Sequence, residues 1–166
     1  MPAGRDSRLK PPWLANQSCV RWGGGDEQLR NVNVRVKAGE LLAVVGPVGS
    51  GKSTLLNACI GELNVQQGSV SVLGRVAFVP QTAFIINGTL RDNVLFGQPF
   101  EPSLYARTIH ACCLQSDIDL LPAGDATEIG SGGINLSGGQ RQRVSLARAL
   151  YSQVTFDPRQ QRYQPP

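Results

Sequence analysis

The chain has 166 residues, 41% of them apolar, which lies within the size of one domain and excludes a wholly disordered polypeptide. Nineteen glycines against 6% aromatic residues point to tight turns and close backbone approaches rather than to an aromatic-rich recognition surface. The formal charge of +4 comes from scattered residues, Arg5, Arg8, Lys10, Arg159 and Arg162 near the ends among them, so no basic stripe exists and nucleic acid is not an expected partner.

Residues 1–17, with Pro2, Pro11 and Pro12 among polar neighbours, read as a linker or the remnant of an upstream region, with structure beginning near Ser18. Val32, Val34 and Val36 alternate with polar residues, the pattern of a half-buried strand in a hairpin, broken by Lys37-Ala38-Gly39-Glu40. Residues 41–45 are continuously apolar and predict a strand covered on both faces of a parallel sheet. A helix is predicted over 52–61, short strands over 69–73 and 76–79, and helices over 89–96 and 102–113. From Gly138 the spacing of Val144, Ala147 and Tyr151 predicts another helix. No run approaches the roughly 18 to 20 apolar residues that cross a bilayer, and the start of the chain lacks a signal-peptide centre. The chain is therefore expected to be soluble and cytosol-facing. Cys19, Cys59, Cys112 and Cys113 show no metal-ligand spacing and are expected to be reduced.

Gly46-Pro47-Val48-Gly49-Ser50-Gly51-Lys52-Ser53 fits G-x-x-x-x-G-K-[ST] between a predicted buried strand and a helix. Glycines at those positions let N–H groups turn inward around an anion, and the helix N-terminus adds partial positive charge there. Phosphate is the natural guest. Lys52 is placed to reach β and γ phosphates and Ser53 to reach a bridging Mg²⁺, with Thr54 following in the same turn.

Such a loop is shared by GTPases, kinases, motors and transporters. The second motif, Leu136-Ser137-Gly138-Gly139-Gln140, discriminates; in a chain of this length it arises by chance at roughly 10⁻⁴. Ser137 before two glycines at a helix start is a second phosphate-facing arrangement, and it is also the pattern of a serine N-cap. No N-K-x-D segment occurs, which sets a GTPase aside.

The two motifs together resemble the ATP-binding cassette of ABC transporters. Val79-Pro80-Gln81 is similar to that family's Q-loop, which implies that Gln81 is catalytic and contacts Mg²⁺ and the attacking water, and that the segment after it meets a coupling helix of the transmembrane domain. Asn87-Gly88-Thr89-Leu90-Arg91-Asp92-Asn93 through Gly97, and residues 140–151, are similar to the first cassette of the multidrug-resistance-associated subfamily C exporters. Trp22 resembles the A-loop aromatic that stacks on adenine. The resemblance implies an α/β P-loop NTPase with an antiparallel β subdomain and a helical signature subdomain. ATP and Mg²⁺ are the implied cofactors. ATP on residues 46–54 would be sandwiched against Ser137, Gly138, Gly139 and Gln140 of a second nucleotide-binding domain paired head to tail. The implied setting is the cytosolic face of a membrane, attached through transmembrane domains, and intact family members expel amphipathic anions or conjugates.

The resemblance covers residues 18–152 and then fails. Gln153-Val154-Thr155-Phe156-Asp157-Pro158 stands where the family has an apolar strand ending in the Walker B aspartate, and Asp157, followed by proline, does not fit that role. His110, the only histidine, precedes the signature and cannot be the family's switch histidine. Residues 153–166 are expected to be a disordered tail, the parallel core sheet incomplete, and the 166 residues hydrolytically inactive. The alternative expectation is a truncated, non-catalytic nucleotide-binding fragment or mis-spliced product. Folding is expected to be marginal, with an ordered hairpin region and a mobile signature helix.

Overall fold

The computed structural model describes residues 13–20, 29–63, 65–72 and 74–154, and the chain divides into two compact units, Met1–Val76 and Ala77–Pro166.

In the first unit, β1 (Trp13–Val20), β2 (Leu29–Val36) and β3 (Val65–Val72) form an antiparallel sheet in the order β2-β1-β3. Among the described residues strand structure is thus already present at Trp13, ahead of the expected start near Ser18. Trp13 pairs with Val36 on one side and Val72 on the other, and Ala15 with Val34 and Val70. Val32, Val34 and Val36 are half-buried while Asn33 and Arg35 are exposed, as the alternation predicts. The turn after β2 closes on itself: the Glu40 N–H donates to Lys37 O at 3.1 Å, and the Lys37 N–H donates to Glu40 Oε2 at 2.8 Å. Helix α1 (Lys52–Cys59) buries Thr54 and Ala58, one turn apart on one face.

Two sequence expectations are overturned here. Residues 41–45 form no strand; Leu41 is 98% exposed and Val45 88%. Residues 76–79 form none either, with Val76 and Phe78 exposed. A strand exists through the ladder it makes with its neighbours. An apolar run supplies side chains but not adjoining donors and acceptors, and among the described residues no strand pairs with either segment. Both sheets of the described residues are antiparallel, so the parallel core expected of the α/β fold is not formed by them.

The second unit is mainly helical. β4 (Gly88–Thr89) pairs antiparallel with β5 (Glu128–Ile129), and between them lie α2 (Leu90–Leu95), α3 (Pro102–Ala111), α4 (Gln115–Asp119) and a short 3₁₀ turn (Gly124–Ala126). α5 (Gly138–Val154) follows. Thr89 and Asp92 close a capping box at the start of α2, the side chain of each accepting the backbone N–H of the other. Pro102 occupies the first turn of α3, where its missing N–H costs nothing. Val144, Ala147 and Tyr151 are wholly buried and form one core with Leu90, Val94, Leu114 and Ile129. Each large apolar side chain removed from water there contributes about 1.5 to 3 kcal/mol. The Tyr151 hydroxyl donates to Pro99 O at 2.6 Å and accepts the Glu101 N–H at 2.9 Å, which fixes the loop entering α3.

Candidate functional site

In the first unit the backbone curves from residue 46 into α1 through two left-handed glycines, Gly49 (φ 82) and Gly51 (φ 84), the latter being the N-cap. The Lys52 ammonium donates to Gly46 O at 2.9 Å and Pro47 O at 2.7 Å, and the Ser50 N–H donates to Pro47 O at 3.3 Å. Its partners are therefore neutral carbonyls; among the described residues no carboxylate lies within ion-pair distance of it. An anion arriving at the start of α1 meets an uncompensated cation and the helix's first N–H groups together. A Cβ at Gly46 would meet Ser50 Oγ at 2.8 Å, so the loop packs closely on itself. Ser53 is exposed and offers its hydroxyl to solvent, whereas Thr54 is buried. This donor set fits a polyphosphate, and the exposed Ser53 oxygen fits a hard cation such as Mg²⁺ accompanying it.

In the second unit Leu136 is buried and Ser137, Gly138 and Gly139 are exposed at the start of α5. The Ser137 N–H donates to Gln140 Oε1 at 2.8 Å, and the Gln140 N–H donates to Ser137 Oγ at 3.3 Å. The serine N-cap is thus present, as a capping box. Gln140 Nε2 donates to Asp117 Oδ1 at 3.3 Å, so both ends of its amide are used inside this unit. Arg143 donates from Nε to Asp117 Oδ2 at 2.7 Å and from Nη2 to Oδ1 at 2.9 Å. The Arg143 hydrogen bonds hold the Asp117 carboxyl below the usual aspartate range, against the opposing effect of its burial.

Residues 80–86 have no regular structure, and side chains supply their backbone partners. Gln142 Nε2, on α5, donates to Pro80 O at 3.2 Å and also to Gln81 O. Arg148 Nη1 donates to Phe84 O at 2.9 Å. Asn93, wholly buried, accepts the Ile86 N–H at Oδ1 (2.9 Å) and donates from Nδ2 to Ile86 O (2.9 Å), acting as a one-residue strand neighbour. Burial lowers the Arg148 pKa. Exposed Gln81 and the signature's Gly138 line one groove of about 690 Å³, with Ala83, Ser131 and Arg141 on its walls.

Of the residues singled out by sequence, the 46–54 set is assembled in the first unit, while Gln81, Ser137, Gly138, Gly139 and Gln140 are assembled in the second. Trp22 and Asp157 lie outside the described residues. His110 is exposed on α3. Sequence reasoning assigned no role to Asn93, Asp117, Gln142 or Arg148. The signal was present as polar residues set within apolar helical stripes, Asn93 before Val94 and Arg148 after Ala147.

The ABC transporter family profile matches residues 29–156. ATP-binding cassette sub-family C member 3 of Rattus norvegicus is 59% identical over 128 residues, 77% of this chain and 8% of the relative. ABC transporter C family member 3 of Dictyostelium discoideum is 54% identical over 155 residues, 88% of this chain and 11% of the relative. ATP-binding cassette sub-family C member 2 of Homo sapiens is 51% identical over 140 residues, 84% and 9% respectively. The chain therefore spans about a tenth of the length of these relatives. A lysine poised over a glycine loop, a capped Ser-Gly-Gly turn, and a profile match from residue 29 to residue 156 agree on one conclusion: the chain belongs to the ABC transporter family.

Proposed function

We propose that this chain is the nucleotide-binding part of a sub-family C exporter, corresponding to its first cassette, in which ATP binding and hydrolysis drive transport across a membrane. The observation that carries the nucleotide-binding role is Lys52, whose ammonium rests on the carbonyls of Gly46 and Pro47 with no carboxylate beside it among the described residues. Residues 46–54 bind the phosphates, Ser53 and Gln81 hold the Mg²⁺ that neutralises their charge, and Trp22 stacks on the adenine. Ser137, Gly138, Gly139 and Gln140 face the nucleotide of a second cassette paired head to tail. The groove beside Gln81 receives a coupling segment of the transmembrane domain, which places the chain on the cytosolic face. Equilibrium titration of the chain with a fluorescent ATP analogue tests this, with weak binding expected for the wild type and weaker still for Lys52→Ala. Equal affinity for the two rejects the assignment.

A second reading concerns the 166 residues as they stand: they bind nucleotide without hydrolysing it. Supporting it, α5 runs on through Val154, and residues 153–158 contain no apolar run ending in aspartate. The transition state of phosphoryl transfer depends on positioned Mg²⁺, water and charge, and residues 153–158 offer no apolar strand ending in an aspartate that would hold the metal. Steady phosphate release from the wild type that disappears in Lys52→Ala would overturn it.

A further inference from the structure

The signature turn hangs on one carboxylate outside its own motif, 23 residues before Gln140 and 26 before Arg143 in the chain: Asp117 on α4 is 7% exposed and takes hydrogen bonds from Gln140 and, in bidentate fashion, from Arg143. A glutamine amide can sit either way round, and its two ends differ only as donor and acceptor. Beside a carboxylate that accepts only, the NH₂ end of Gln140 must face Asp117, so Oε1 must face Ser137 and accept its N–H. The Gln140 N–H in turn occupies a lone pair of Ser137 Oγ. That leaves the Ser137 hydroxyl proton to point away from the helix. It does so beside the N–H groups of Gly138 and Gly139, which face no acceptor among the described residues.

We propose that Asp117 is a positioning residue for the signature: it sets the Gln140 amide so that Ser137 presents a hydroxyl donor, with the glycine N–H groups, to an incoming phosphate. It acts through Gln140 and does not touch the ligand. Arg143 completes the device by supplying the charge that keeps Asp117 ionised, while its Nη1 flanks Gly139, 3.6 Å from where a Cβ would stand. The functional consequence rests on the head-to-tail pairing proposed above. The positioning itself does not.

The test uses the full chain and the double variant Asp117→Leu with Arg143→Met, since an apolar pair in place of a buried ion pair preserves folding where a single deletion leaves a charge stranded. Amide hydrogen exchange followed by NMR reads the turn directly. Ser137 and Gln140 are expected to exchange about tenfold faster in the double variant, with Val144, Ala147 and Tyr151 still protected. Unchanged protection of Ser137 and Gln140 overturns the proposal. Should the deeper helix lose protection as well, Asp117→Asn, which keeps the shape and removes the charge, is judged by the same two amides. Mg-ATP-dependent self-association, measured by sedimentation velocity, forms the second arm: the wild type associates, and Ser137→Ala and the double variant do not. Association by a double variant as strong as the wild type overturns the functional role of Asp117. A wild type that fails to associate rejects the pairing alone, and the exchange result still decides whether Asp117 positions the turn.

Discussion

Arg148 grips Asn93 twice, donating from Nε to its backbone carbonyl at 2.8 Å and from Nη2 to its Oδ1 at 3.1 Å, and so ties α5 to α2 across the segment that follows Gln81. The guanidinium also lies over the Phe96 ring, 4.6 Å from its centroid. These contacts form a single polar cluster in which each member satisfies another, and such clusters fail together.

Arg148→Ala is accordingly expected to destabilise the second unit by about 2 to 4 kcal/mol, because the Phe84 and Asn93 carbonyls lose a charged donor at once. Arg148→Lys restores only part, since an ammonium cannot span three acceptors in a plane. Both tryptophans, Trp13 and Trp22, belong to the first unit, so urea unfolding of the second must be followed through its amides rather than by tryptophan emission. A loss below about 0.5 kcal/mol would show that the cluster is not a stabilising one.

Gly133 and Gly132 make a sharper comparison. A Cβ at Gly133 would collide with the Glu128 carbonyl oxygen, and would stand 2.9 Å from Ile129 N, atoms of backbone that cannot yield. The Ile134 N–H to Glu128 O bond of 2.9 Å, which leads the chain into the signature, depends on that close approach. Gly132 has open space at the same position. Gly133→Ala is expected to cost more than about 2 kcal/mol and Gly132→Ala less than about 0.5, measured by thermal unfolding of both variants.

Acid should weaken the second unit. Hydrogen bonds from Arg143 to Asp117 and from Arg91 to Asp125 lower both carboxyls below the ordinary aspartate value of about 3.9. A folded-state pKa below the unfolded one means that the stabilisation is complete above the unfolded value and is lost as pH falls through the folded one. Urea midpoints are expected to be level from about pH 7 to 5 and to drop below about pH 4. Asp125→Asn should lower the midpoint at neutral pH and flatten the acid limb. An unaltered acid limb in that variant would remove Asp125 from the account.

The 41–45 segment should tolerate charge. Since Leu41 and Val45 are almost fully exposed, Leu41→Lys and Val45→Lys are expected to shift stability by less than about 0.5 kcal/mol while reducing binding of a hydrophobic dye. Strong hydrogen-exchange protection across 41–45 in the wild type would contradict the exposure seen here.

What the sequence determined by itself is what short spacing can encode. The helix over Leu90–Leu95 lies inside the predicted 89–96, with Thr89 and Phe96 as its caps, because a Thr-x-x-Asp box announces a helix start within four residues. The buried face of α5 follows from Val144, Ala147 and Tyr151, and its packing is tighter than the mobile signature helix expected for a marginal fold. The lysine-bearing loop was legible for the same reason: its two left-handed glycines and its lysine all lie within eight residues. Tertiary structure alone decided the rest. Whether 41–45 becomes a strand depends on neighbours that no property of the run itself reveals. The partners of Gln142 and Arg148 lie 62 and 64 residues back in the chain, on a segment with no periodicity to mark it. Asp117 falls outside every element predicted from sequence, and only the packing of α4 beside α5 turns its carboxylate toward Gln140 and Arg143. Local sequence fixes dihedral preference and periodicity over a few residues, whereas a buried polar group finds its partner only once burial has removed water as the alternative.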